Sequence, residues 1–175
     1  MKKLIIAAAI VCAAAISQAA AVGWTCMNAA DFKGGDYSIF VIGMNGVTGV
    51  DQIKAIVAAG GLDAASEYAF DSAMVASNGT ATKNSASSGK SITWSGSGTD
   101  TYSAFIFVQD TAGENASFTD TKSITMADNS TSKTFAFNNQ ATAFTANKFE
   151  VDPEPTSGLL LLVGIAGLAL RRRRV

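Results

Sequence analysis

The two longest uncharged apolar runs of this 175-residue chain, Leu4–Ile16 and Gly158–Leu170, lie one near each end. That placement limits what can fold to the stretch between them, about 130 residues, enough for one domain with a sizeable core and not for two. The mean hydropathy of +0.24 is therefore a property of the ends. Histidine is absent, which removes Ser-His-Asp and Cys-His catalysis and every histidine-containing zinc site.

The N-terminal run follows Met1-Lys2-Lys3 and leads into Ser17-Gln18-Ala19-Ala20-Ala21. A charged start, a short apolar middle and a small-residue exit form a secretory signal over residues 1–21, with cleavage expected near Ala21 by signal peptidase. Cys12 leaves with it. Val11 stands before Cys12 where lipoprotein processing needs a small residue, so a lipid-anchored N-terminus is not expected. Between Val22 and Pro155 the cations are Lys33, Lys54, Lys83, Lys90, Lys122, Lys133 and Lys148, against all fourteen carboxylates of the chain. The exported part is thus near −7, which suits solubility and disfavours a nucleic-acid partner.

The tail, residues 151–175, carries three parts in order. Pro153, Glu154 and Pro155 keep the chain extended, and Thr156 or Ser157 can cap a helix that starts after them. Gly158, Leu159, Leu160, Leu161, Leu162, Val163, Gly164, Ile165, Ala166, Gly167, Leu168, Ala169 and Leu170 then form an apolar run without a charge. Arg171, Arg172, Arg173 and Arg174 follow at once, ahead of Val175. Moving four guanidinium groups into hydrocarbon costs on the order of 10 kcal/mol, so they stop transfer and stay cytoplasmic. A single transmembrane helix is expected, with the domain on the opposite side, where the signal sends it. As a helix the run spans about 20 Å against a hydrocarbon core of about 30 Å, which fits a transient tether better than a permanent anchor.

Pro153-Glu154-Pro155, the short Leu/Gly/Ala helix and the arginine cluster together resemble the PEP-CTERM protein-sorting signal of Gram-negative bacteria. The resemblance covers about 23 of the 175 residues. It implies that the tripeptide is read by exosortase, an integral-membrane cysteine peptidase-like enzyme, in an arrangement similar to the sortase signal of Gram-positive surface proteins. It further implies a transient stay in the inner membrane, then delivery to the cell surface or an extracellular polysaccharide matrix.

The exported domain, residues 22–150, is expected to be mainly β, a small β-sandwich-like domain with one or two short helices. Tyr37–Ile42 and Tyr102–Val108 are aromatic and β-branched runs whose near-continuous apolarity predicts strands covered on both faces. Ser91–Trp94, Ser123–Met126 and Lys133–Phe137 are weaker strand candidates. Thr48-Gly49-Val50-Asp51 has capping-box spacing ahead of Val50, Ile53, Ile56 and Val57, with Gly60-Gly61 as the stop. Residues 62–74 are expected to form a second short helix, with a strand as the competing outcome, and residues 76–91 a small-polar loop.

No constellation points to catalysis, metal or cofactor. Asp100, Asp110, Glu114, Asp120 and Asp128 show no distinguishing spacing for paired-carboxylate hydrolysis. Asp110–Asn115 and Asp128-Asn129 carry oxygen ligands without the alternation of a calcium loop and read as turns. Cys26, the one cysteine remaining after export, reads as a small hydrophobe beside Trp24. Trp24, Trp94 and Tyr102 are the candidates for a platform stacking on sugar rings, and equally what a small β core needs. The expectation is an exported, non-enzymatic surface or matrix protein; the alternative is a carbohydrate-binding module acting in the extracellular polysaccharide.

Overall fold

The computed structural model describes residues 17–83, 89–95 and 98–152. The apolar part of the signal, the Pro-Glu-Pro tripeptide, the apolar tail and the arginines lie outside the described residues.

The two most apolar runs form the centre of the fold. β2 (Asp36–Val41) and β6 (Thr99–Gln109) pair antiparallel, with Ile39 opposite Ile106 and Phe40 opposite Phe105. Alternation sends Tyr37, Ile39, Val41, Ala104, Ile106 and Val108 to one face and Phe40, Phe105 and Phe107 to the other, and each face has its own core. That double covering is why these strands read as continuous apolar runs. β3 (Asp71–Met74) takes the free edge of β2. β7 (Asn115–Phe118) and β8 (Lys122–Ala127) divide the other edge of β6, and β10 (Phe149–Glu150) adds to β7.

A second sheet is built on β1 (Ser17–Cys26). β9 (Ser132–Phe137) runs parallel along one edge, while β4 (Ala81–Lys83) and β5 (Ser91–Ser95) run antiparallel along the other. Ala20, Val22, Trp24 and Cys26 of β1, Ile92 and Trp94 of β5, and Phe135 and Phe137 of β9 meet the first sheet in one shared core. On the far face of the first sheet, α1 (Val50–Ala64) lays Ile53, Val57 and Leu62 over Phe40, Phe105 and Phe107. α2 (Ala141–Ala146) places Phe144 against Phe32 and Tyr37, with ring centroids 6.2 and 6.0 Å away. The protein is mainly β, two sheets with two short helices, and each large apolar side chain so buried contributes about 1.5–3 kcal/mol.

Four local expectations are corrected. The start of α1 is not held by Asp51; Gly49 is the N-cap residue and makes no side-chain cap. Gln52 accepts instead from both the N–H and the hydroxyl of Thr48, at 2.7 and 2.9 Å, because its longer side chain reaches back over the first turn. Residues 62–74 do not form a second helix. A single 3-10 turn at Ser66–Tyr68 leads into β3, since pairing with the open edge of β2 satisfies more backbone than an isolated short helix would. The loop over residues 76–91 contains β4. The expected stop at Gly60-Gly61 is a break at Gly61, with φ of 72°, after which one turn continues to Ala64.

Candidate functional site

The far face of the first sheet has an aromatic half and a polar half. α1 covers Phe40, Phe105 and Phe107. Beyond its carbonyl end the same face continues through Asp36 and Ser38 of β2, paired across to Met74 and Ser72 of β3 and, for Asp36, to Gln109 of β6. The result is a groove of about 720 Å³ floored by Asp36, Ser38, Ser72 and Met74. Leu62, Asp63 and Ser66 form one wall; Gly34, Gly35 and the turn Asp110–Gly113 form the other.

Gln109 braces the two walls. Its Oε1 accepts from the N–H of Leu62 at 2.6 Å, and its Nε2 donates to the carbonyl of Gly113 at 3.0 Å. Two glycines make room for it: a Cβ on Gly61 would lie 2.9 Å from Gln109 Nε2, and one on Gly35 would overlap the Gln109 carbonyl. Asp110 holds the turn closed, its carboxylate accepting from the Glu114 N–H at 2.9 Å and from Asn115 Nδ2 at 2.8 Å. Burial pushes the Asp110 carboxyl up, but these donors and the neighbouring turn amides outweigh it and hold it below the ordinary range.

Ser38 differs from the rest of the lining. It is 6% exposed, on the same strand face as Asp36 and Phe40. Asp36 and Asp63 are exposed, and neither meets a cationic side chain among the described residues. The lining contains no lysine, arginine or aromatic residue.

The residues singled out by sequence fall elsewhere. Trp24 is fully buried, with Tyr37 edge-on at 6.4 Å, and Trp94 is 4% exposed with its indole N–H unpartnered. Their ring faces are packed in the shared core, so they present no stacking surface; the core reading of these residues is the one the structure supports. Tyr102 is half-buried against the same core. Cys26 is buried, and burial pushes its thiol up to about 12 despite a hydrogen bond with Tyr37. Of the carboxylates, Asp110 lies in the groove and Glu114 beside it in the turn. Asp100 is the second residue of β6, Asp120 lies between β7 and β8, and Asp128 accepts from Gln18 and from the Gly98 N–H. Among the described residues no three acidic or cysteine side chains form a metal-holding group. No helix among them is long and apolar enough to cross a membrane.

Sequence reading missed Asp36, Ser38 and Asp63. Ser38 was visible as the one polar residue inside Tyr37–Ile42, on the opposite face from Tyr37 and Ile39. No family model, curated protein or solved structure matches the chain.

Proposed function

We propose that this is an exported, non-enzymatic protein of the cell surface or extracellular matrix, carried out by its N-terminal signal and processed through its tail by exosortase. The two facing sheets are read as a β-sandwich-like module. The observation that carries the proposal is the ordered tail of Pro153-Glu154-Pro155, thirteen uncharged residues and four arginines, behind an N-terminal export signal. The position of the tail relative to the folded domain supports it. Val151 is a core residue whose N–H donates to Glu114, and the Asp152 N–H donates to Ala58 at 2.8 Å. The last described hydrogen bond thus lies one residue before the tripeptide, and a cut there leaves every described contact in place.

C-terminal peptide mapping of the protein from cells with and without the sorting enzyme tests the proposal. The expected result is a chain that has lost Gly158–Val175 only when the enzyme is present; a surface protein still ending in Val175 overturns it. A carbohydrate-binding role is the second reading, and a groove lined by the hydroxyls of Ser38, Ser66, Ser72 and Thr111 favours it, in place of an aromatic platform.

A further inference from the structure

We propose that Asn45 is a site of spontaneous covalent modification, closing to a succinimide with Gly46 and opening to aspartate and isoaspartate. The second Asn-Gly pair, Asn78-Gly79, is held against the same reaction by its fold. Glycine has no Cβ to shield its amide nitrogen, so Asn-Gly is the pair in which that nitrogen most readily reaches the preceding side chain. The chain holds two such pairs, and their turns differ.

The reaction needs only hydroxide and water. Hydroxide takes the Gly46 N–H proton and the nitrogen lone pair attacks Asn45 Cγ. The N–Cγ bond forms and the Cγ–Nδ2 bond breaks, Nδ2 leaving as ammonia with a proton from water. One water then opens the ring at either carbonyl, giving aspartate, or isoaspartate with the main chain running through Cγ.

Met44-Asn45-Gly46-Val47 is closed by the Val47 N–H donating to the Met44 carbonyl at 2.9 Å. With φ of 50° at Asn45 and 79° at Gly46, it has the sign pattern of a type I′ turn. Turning over the central peptide gives type II′, which keeps a positive φ at Asn45 and the same closing bond. That flip brings the Gly46 nitrogen round to the Asn45 side chain. Nothing among the described residues resists it: no described hydrogen bond uses the Gly46 N–H or the Asn45 carbonyl, and both residues are exposed.

At the second pair the corresponding nitrogen is tied. The Gly79 N–H is the closing donor of its own turn, to the Ala76 carbonyl at 2.9 Å, so it cannot turn to Asn78 without opening that turn. Asn78 Oδ1 is held by the Thr80 N–H at 3.1 Å and the Thr80 hydroxyl at 2.6 Å. The Gly79 carbonyl accepts from the Ala29 N–H at 3.0 Å, and Gly79 is buried against Ala29 and Ala30. Conversion at Asn45 also alters its surroundings. Asn45 Nδ2 donates to the Ala69 carbonyl at 3.2 Å, where a carboxylate would set oxygen against oxygen. The Gly46 carbonyl accepts from Gln52, which holds the start of α1, so the modified chain loosens there.

The test is storage of the purified protein, with its native ends, in mildly alkaline buffer with and without urea. Lysine-specific cleavage places Asn45 in peptide 34–54 and Asn78 in peptide 55–83, and mass spectrometry follows amide-to-carboxyl conversion in each. In the folded protein Asn45 is expected to convert at least about tenfold faster than Asn78, the factor set by one further hydrogen bond to be broken. In urea, where both turns are lost, the two rates should agree. A folded ratio below about tenfold, no conversion at Asn45, or a difference as large in urea overturns the proposal.

Discussion

Trp24 donates its indole N–H to Asp71 Oδ2 at 3.0 Å, and this bond joins the central strand of one sheet to the edge strand of the other. The ring itself lies flat in the core, so the carboxylate supplies the one polar partner an otherwise buried indole needs. Removing it leaves a buried donor unsatisfied.

Asp71→Ala is therefore expected to destabilise the fold by about 1–3 kcal/mol, and Asp71→Asn, which keeps a carbonyl acceptor, by less. Urea denaturation followed by tryptophan fluorescence reads both. Equal stability of Asp71→Ala and the parent would show that the bond contributes nothing.

Cys26 makes stability fall in alkali. Its thiol is pushed from 9.0 to about 12 in the fold, mainly by burial, and burial also pushes the Tyr37 hydroxyl above its usual range. The unfolded chain loses the thiol proton first, so the contribution is complete below about pH 9 and is lost as pH rises towards about 12. The expected slope from this group is at most about 1.4 kcal/mol per pH unit. Denaturation curves between pH 8 and pH 10 should fall less steeply for Cys26→Ala, and native Cys26 should resist alkylation until the protein unfolds.

The N-terminal half of β1 is structural. Ser17–Ala21 is the ladder partner of β5, Ala20 is 1% exposed, and Gln18 reaches Asp128 at 3.3 Å. A chain beginning at Val22 leaves β5 without that ladder while Ile92 and Trp94 still have to be held in the core. It is expected to lose on the order of 3–5 kcal/mol relative to one beginning at Ser17, the range for losing large core contacts. N-terminal sequencing of the exported protein should accordingly find a first residue at or before Ala20; a homogeneous start at Val22 with full stability contradicts this.

Gly35→Ala should be among the most damaging single changes. A Cβ there would overlap the backbone carbonyl of Gln109, which cannot swing aside as a side chain can. A loss of about 3 kcal/mol is expected, the upper range for forced overpacking, together with a distorted groove wall. Thermal unfolding checks the stability loss.

Elements that owe their form to burial on both faces were legible in the sequence. β2 and β6 could be read from Tyr37–Ile42 and Tyr102–Val108 because no alternation was needed to reveal them. α1 was legible from Val50, Ile53 and Val57. β1 was hidden because Ser17-Gln18-Ala19-Ala20-Ala21 is small enough to suit a signal-peptide exit as well as a strand. Asp71-Ser72-Ala73-Met74 has no strand composition of its own; the vacant edge of β2 decides its conformation. The groove was illegible for a similar reason. Asp36, Asp63 and Ser72 come from three elements, and only the termination of α1 short of the sheet's end brings them to one place.

The parallel pairing of β1 with β9 sets the order in which the chain can mature. Ala21 finds Ser132, and Cys26 finds Phe137, only when nearly the whole domain has been synthesised. A polypeptide whose first strand must wait for almost its last closes its second sheet late, and that long-range pairing slows the final step of folding.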